Sequence, residues 1–92
     1  MPRVTVRLPP LLRELDARLP DEHDVEAATV RGALDALIER HPTVGPLLLD
    51  ERGAVRRHVL CVWNDRQLRP DALDRPVEDG DVVRVMQAVS GG

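Results

Sequence analysis

The sequence predicts an α+β fold, in which one mixed sheet of four to five strands carries one main helix across a face. Apolar and polar residues alternate over residues 4–8 and again over residues 82–88, which is the period of a half-buried strand. Between these strands, residues 30–41 place their apolar side chains at helical spacing. With 92 residues and Trp63 as its single aromatic, the chain can bury one modest aliphatic core.

The N-terminal part is expected to form two strands. The first strand, residues 4–8, ends at two consecutive prolines, because proline cannot donate to a strand ladder. Leucines at roughly helical spacing follow, and we expect short turns that cap one end of the core. These leucines are Leu11, Leu12, Leu15 and Leu19. Residues 20–23 are polar and predict a loop, and residues 24–27 predict a short second strand.

The clearest predicted element is the helix over residues 30–41. Thr29 is a good N-cap, and Pro42 ends the helix. Its apolar stripe consists of Val30, Ala33, Leu34, Leu37, Ile38 and His41. Residues 42–51 then predict an irregular segment or short helix that brings leucines under the sheet, and residues 50–53 predict a turn.

The C-terminal half is predicted to contain the remaining strands. Residues 58–63 form an apolar strand, Asn64 and Asp65 suit a tight hairpin turn, and a short return strand begins at Gln67. Leu73 anchors the polar loop that follows. A second turn at Gly80 leads into the last strand. Because the first and last strands are both strongly apolar, we expect them to lie centrally and to pair in parallel.

Composition argues against several classes of function. The net charge of -3 comes from 16 acids and 13 bases that are mixed along the chain, whereas nucleic-acid binding needs a clustered basic excess. No apolar run approaches the ~18 residues of a membrane span, and no signal peptide is visible. Because Cys61 is the single cysteine, no intrachain disulfide is possible, and we expect a reduced, cytoplasmic setting.

Few side chains suggest a catalytic or metal site. Cys61 has an apolar neighbourhood, which predicts a buried strand residue and not a nucleophile. Asp79 and Asp81 flank a glycine, and a role in the turn is favoured over a carboxylate pair. The three histidines lack metal-ligand spacing, so we expect no metal.

Three features of the chain resemble the β-grasp, ubiquitin-like sulfur carriers of the MoaD/ThiS type. One is the helix that opens at Thr29, and another is the hairpin sequence Val-Trp-Asn-Asp at residues 62–65. The third is the sequence Asp-Gly-Asp-Val-Val at residues 79–83, whose strand runs directly into the final Gly91 and Gly92. The family includes the small subunit of molybdopterin synthase and the carriers for thiamine, cysteine and thiosugar biosynthesis, and the resemblance covers nearly the whole chain.

The resemblance implies a β-grasp domain over residues 1–88 and a flexible C-terminal diglycine tail over residues 89–92. In this family an ATP-dependent adenylating enzyme activates the C-terminal carboxylate, here that of Gly92, and a sulfur donor enzyme converts it to a thiocarboxylate. Gly91 would clear a narrow channel in the partner, while Ser90 and Val89 would line its mouth. A sulfur-accepting synthase or large subunit would receive the sulfur. The chain would bind no cofactor and would act as a co-substrate, not an enzyme.

A docking surface is also expected on the outward face of the sheet. There the alternation places an apolar patch edged by arginine, formed by Arg7, Leu60, Val62, Arg84 and Met86. Such a patch is typical of a partner site when it is contiguous and exposed. The alternative is that a loop or a second copy of the chain covers it.

Two other functions remain open at this point. The chain could be a protein modifier that is joined to lysines of other proteins through Gly92, as ubiquitin is. It could also be a β-grasp interaction module whose final glycines do nothing. For a sulfur carrier, the chain length and the additional residues 42–57 favour the molybdopterin or cysteine type over the shorter thiamine type.

Overall fold

The computed structural model describes residues 1–10, 12 and 18–87, and the strands in this part of the chain form one five-stranded mixed sheet. The strands are β1 Arg3–Arg7, β2 Glu22–Glu26, β3 Val59–Trp63, β4 Arg66–Leu68 and β5 Val82–Gln87. Their order is β2-β1-β5-β3-β4. Strands β1 and β5 pair in parallel, and the other pairs are antiparallel. The predicted parallel pairing of the first and last strands is therefore confirmed.

The main helix, α1, spans Val30–Arg40 and begins at the predicted N-cap. The Thr29 hydroxyl oxygen accepts a hydrogen bond from the Gly32 N–H at 3.0 Å. The loop before β5 supplies two further acceptors, since the Val30 N–H donates to the Arg75 carbonyl at 3.0 Å and the Arg31 N–H donates to the Leu73 carbonyl at 2.7 Å. These bonds satisfy N–H groups that the first helical turn leaves unpaired.

A short helical segment follows α1, as predicted for residues 42–51. A 3₁₀ turn spans Pro42–Val44, and the four-residue helix α2 spans Gly45–Leu48. Val44 and Leu48 are buried beneath the sheet, and the following turn is closed by the Asp50 carboxylate. This segment therefore extends the core beyond the end of α1.

The core lies between α1 and one face of the sheet. Side chains of the helix meet inward side chains of β1, β2, β3 and β5, and the largest fully buried ones are aliphatic. Examples are Leu34, Leu37, Val4, Val6, Val25 and Val83. Each such side chain contributes roughly 1.5–3 kcal/mol when it is removed from water. The predicted anchor Leu73 is buried as well.

The predicted loop at residues 20–23 is wrong in its second half, because β2 begins at Glu22. His23 pairs with Val6 and is only 5% exposed, so its ring lies on the core face of the sheet. Its Nε2 donates to the Pro20 carbonyl oxygen at 2.8 Å. Burial, together with the nearby positive charge of Arg40 and the neighbouring His41 ring, lowers the pKa of His23 despite that hydrogen bond.

Smaller boundary differences occur elsewhere. Strand β3 begins at Val59, one residue later than predicted, and β2 ends at Glu26. Leu12 and Leu19 are buried as expected. Leu11, Leu15 and the predicted end of the last strand at Ala88 lie outside the described residues.

Candidate functional site

The five residues of the predicted docking patch lie on one face of the sheet, opposite α1. The register places Arg84 of β5 beside Arg7 of β1 on one side and Val62 of β3 on the other. In the next row, Leu60 of β3 pairs with Met86 of β5. We call these five residues the open face; its use as a docking surface remains a prediction.

The open face combines exposed charge with exposed apolar surface. Met86 is 47% exposed, which is unusual for a large hydrophobic side chain in this protein. Leu60 and Val62 are half-buried, while Arg7 and Arg84 are exposed. An apolar centre with a charged rim is the composition expected of a protein-binding surface.

A groove lies where β1 and β5 end, next to the open face. Its volume is about 570 Å³. Its walls come from the end of β1, from the two prolines after it and from the end of β5. The lining residues are Arg7, Leu8, Pro9, Pro10, Asp21, Arg84, Val85, Met86 and Gln87. Since Gln87 is the last described residue, the groove adjoins the point from which the chain continues toward Gly92.

Strand β2 places a row of acids beside the arginines, which the sequence analysis missed. Arg7 Nε lies 3.3 Å from Glu22 Oε1, and the Thr5 hydroxyl donates to Asp24 Oδ1 at 2.9 Å. Both partners of the Arg7–Glu22 pair are about half exposed, so the pair adds little stability. The sequence Glu-His-Asp-Val-Glu at residues 22–26 could have predicted this row. Its alternation indicates a strand only if His23 is counted as a buried residue.

The opposite end of the sheet is held by hydrogen bonds around Asp81. The Asp81 carboxylate accepts from Trp63 Nε1 at 2.9 Å, from the Glu78 N–H at 2.8 Å and from Asn64 Nδ2 at 3.2 Å. Burial alone would raise the pKa of Asp81, but these hydrogen bonds outweigh it and lower the pKa below its ordinary value. The Arg75 guanidinium also lies over the Trp63 ring, 4.9 Å from its centroid.

The two turns at this end fix the register of the central strands. Asn64 has a φ of 53°, its side-chain oxygen accepts from the Val82 N–H, and its own N–H donates to the Val82 carbonyl at 2.7 Å. Gly80 has a φ of 87°, and its N–H donates to the Arg3 carbonyl at 3.0 Å. Asp79 completes the link by accepting from the Arg3 N–H at 2.7 Å. The predicted turn roles of Asn64, Asp79 and Asp81 are confirmed.

The described side chains form no recognisable catalytic centre. Cys61 is buried, and burial raises the pKa of its thiol to about 11, which confirms the predicted inert strand residue. Within residues 1–10, 12 and 18–87, no three side chains of the metal-binding types cluster, and no helix is long and apolar enough to cross a membrane. Val89, Ser90, Gly91 and Gly92 lie outside the described residues, so their roles stay predictions.

The architecture defines the class of the protein. A mixed sheet with parallel first and last strands and one main helix on a face is the β-grasp, ubiquitin-like fold, and solved β-grasp structures align with nearly the whole chain. The ThiS family model matches residues 6–92. The chain therefore belongs to the ThiS family and is a ubiquitin-like sulfur carrier of the MoaD/ThiS type.

Several solved structures are similar over their full length. SAMP1 from Haloferax volcanii is 26% identical with a TM-score of 0.82, covering 98% of this chain and 99% of that one. A chain of the Amycolatopsis orientalis BexX/CysO complex is 30% identical with a TM-score of 0.81, covering 97% and 99%. A putative molybdopterin converting factor subunit 1 from Pyrococcus furiosus is 26% identical with a TM-score of 0.70, covering 97% and 100%. No curated protein matches the chain.

Family membership also settles what kind of molecule this is. Proteins of the ThiS and MoaD type are small non-catalytic carriers. The expectation of a carrier and not an enzyme is confirmed on this basis.

Proposed function

We propose that this protein carries sulfur as a thiocarboxylate on the C-terminal Gly92. The observation that supports the proposal best is the parallel pairing of β1 with β5, which is tied in register at Gly80. Strand β5 continues past this pairing, along β3, to Gln87, which lies five positions before Gly92 and beside an exposed face that a partner can cover. The fold thus fixes Gln87, the last described residue, relative to the open face, which supports a tail that is presented beside a docked partner.

The reaction uses the main chain and no side chain of the carrier. An oxygen of the Gly92 carboxylate attacks the α-phosphorus of ATP, and pyrophosphate leaves. Hydrosulfide delivered by a donor enzyme then attacks the carbonyl carbon, AMP leaves with the electron pair of the broken C–O bond, and the S–H proton is lost to solvent. The product is a thiocarboxylate, which a sulfur-accepting synthase or large subunit consumes. ATP is bound by the activating partner, and the carrier needs no cofactor.

The composition of the tail suits entry into a buried active site. Residues 89–92 can span about 13 Å at ~3.3 Å per residue. Gly91 has no side chain to clash in a narrow channel, and glycine's wide φ range lets the tip bend toward the nucleotide. Ser90 and Val89 would remain at the channel mouth, close to the open face.

The proposed recipient of the sulfur is a synthase of the cysteine or molybdopterin type. The 30% identical chain comes from the BexX/CysO complex, and another similar structure is a putative molybdopterin converting factor subunit. This chain covers both structures almost completely. Chain length had likewise favoured the molybdopterin or cysteine type over the shorter thiamine type. We place the reaction in the cytoplasm, where ATP is available and the Cys61 thiol stays reduced.

A second function, protein modification, is favoured by one specific likeness. SAMP1, a small archaeal modifier protein, has a TM-score of 0.82 to this chain. The same adenylate of Gly92 would then be attacked by a lysine amine of another protein. Activation is common to both functions, and they differ only in the nucleophile.

Intact-protein mass spectrometry separates these functions. The purified chain is incubated with ATP, the adenylating enzyme of the same organism and a sulfur source. Exchange of one oxygen for one sulfur supports the carrier function, and covalent conjugates with other proteins support the modifier function. A chain that lacks Gly92 is the control and should show neither change. If the full-length chain also shows neither, both functions are wrong and the interaction module remains.

A further inference from the structure

Arg84 occupies an unusual position on the open face. It lies on the central strand β5, where its register partners are Arg7 on one side and Val62 on the other. Among the residues that the structure describes, Arg84 has no ion pair and no side-chain hydrogen bond. An exposed guanidinium at the centre of a sheet face, next to a second guanidinium, destabilises the isolated fold slightly, since like charges opposite each other repel.

None of the described acids near this pair forms an ion pair with Arg84. Glu22 contacts Arg7, and Asp24 accepts a hydrogen bond from Thr5. Asp21 lines the same groove and has a polar contact of its own. Within the described part of the chain, Arg84 is therefore exposed and unpaired beside the exposed Met86 side chain.

The position of Arg84 in the groove limits the kind of partner surface that can bind over it. Arg84, Met86 and Gln87 line the groove together, and the tail continues from Gln87. A protein that binds residues 89–92 and covers the open face would also cover this groove, because Arg7, Arg84 and Met86 belong to both. If that protein offered only apolar groups, it would bury a guanidinium without a partner, which costs several kcal/mol.

We propose that the activating partner presents a carboxylate side chain, flanked by apolar residues, that enters the groove and pairs with Arg84 and Arg7. This inference rests on the proposed function and adds the chemistry of the partner's surface. A carboxylate can accept two parallel N–H bonds from one guanidinium, which fixes orientation as well as charge. The pair thereby selects partners that carry an acid at the channel mouth and excludes those that carry a base.

The test measures ATP–pyrophosphate exchange by the adenylating enzyme of the same organism at increasing concentrations of the carrier. We expect the KM for the carrier to rise about tenfold for Arg84→Gln and about a hundredfold for Arg84→Glu, with kcat within about twofold, because each 1.4 kcal/mol is tenfold in binding. Arg66→Glu is the matched control, because Arg66 is an exposed arginine at the opposite end of the sheet. Its KM should stay within about twofold of the unmodified chain.

Two further readouts separate docking from folding. The unfolding temperature of Arg84→Glu should not fall, because the substitution removes the repulsion with Arg7 and no described contact is lost. The KM of the unmodified chain should rise several-fold between about 50 and 300 mM salt, and that of Arg84→Gln should rise less.

The outcomes also distinguish the inference from the function on which it rests. If the unmodified chain supports no exchange, the proposed function and the inference both fail. If it supports exchange while Arg84→Glu keeps the same KM, or loses activity only because it unfolds at a lower temperature, the inference alone is overturned.

Discussion

The two ends of the sheet differ in how their polar groups are used. At the Gly80 end, one carboxylate, that of Asp81, accepts from three donors, and both turns are tied to the neighbouring strands. At the Gln87 end, Arg84 has no partner among the described residues, and Met86 is 47% exposed. The first end satisfies its hydrogen bonds within the fold, whereas the second leaves charge and apolar surface exposed.

This difference suggests that one end of the sheet stabilises the fold and that the other end binds a partner. A chain of this size has few kcal/mol of stability to lose, so contacts that set strand register matter greatly. The Gly80 end provides those contacts. At the Gln87 end, the outward side chains of Arg84 and Met86 remain available to a partner. Substitutions at the two ends should therefore affect different measurements.

The largest loss of stability is expected from Asp81→Ala. It removes the acceptor for Trp63, Asn64 and the Glu78 N–H, and we expect the free energy of unfolding to fall by about 2–3 kcal/mol, at roughly 1 kcal/mol per bond. Urea unfolding followed by circular dichroism measures it. Asp65→Ala is the matched control in the adjacent turn. Equal stability of the two variants would contradict the role given to Asp81.

Substitution of Gly80 should have the next largest effect. Its φ of 87° disfavours residues with a Cβ, although an added Cβ would meet no atom within 4 Å. We expect Gly80→Ala to cost about 1–2 kcal/mol through backbone strain alone. Gly80→Asn should cost less, because asparagine tolerates this region. An alanine variant as stable as the asparagine variant would show that the turn relaxes and does not fix the register.

A smaller effect should appear in the pH dependence of stability. Although burial opposes it, hydrogen bonding holds the pKa of folded Asp81 below its unfolded value. Asp81 therefore adds stability that is fully present above about pH 4 and is lost as the pH falls through the folded pKa. Between about pH 5 and 2.5 the urea midpoint should drop more steeply for the unmodified chain than for Asp81→Asn. Parallel curves would mean that the folded and unfolded pKa values of Asp81 are equal.

The smallest change in stability is expected at the other end of the sheet. Met86→Gln should alter the free energy of unfolding by no more than about 0.5 kcal/mol, since the side chain is exposed. The same substitution should weaken adenylation by raising the KM for the carrier. Arg66→Gln, at an exposed residue of the opposite end of the sheet, is the control and should leave the KM unchanged. A clear loss of stability in Met86→Gln would place Met86 in the fold and not in the docking surface.

Periodic segments were predictable from the sequence, and contacts distant in the chain were not. The strands β1 and β5 and the helix α1 follow from alternation and helical spacing, and Gly80 follows from turn chemistry. The start of β2 was misplaced because His23 was counted as polar, although its imidazole is buried once Nε2 reaches the Pro20 carbonyl. That error also hid the acids beside Arg7.

In the candidate site, too, the local pattern was predictable and the contacts between distant residues were not. The common face of the five open-face residues could be anticipated from alternation, whereas the register that sets their neighbours comes from the structure. The contact of Arg75 with the Trp63 ring and the hydrogen bonds from Trp63 and Asn64 to Asp81 join segments that lie far apart in sequence, and no local pattern encodes them. Arg84 has no described ion-pair partner because the nearby acids Glu22 and Asp24 contact Arg7 and Thr5. Only the three-dimensional structure shows these contacts.

The most direct test of the central claim locates sulfur within the chain as isolated from its own cells. Trypsin cleaves after Arg84 and releases residues 85–92 as the C-terminal peptide. Oxidation of Met86 adds nearly the same mass as an oxygen-to-sulfur exchange, so the sample is first alkylated with iodoacetamide, which labels a thiocarboxylate but leaves a sulfoxide unchanged. We predict an alkyl label on Gly92. A C-terminal peptide that is never labelled, with added sulfur found only at Cys61, would contradict the proposal.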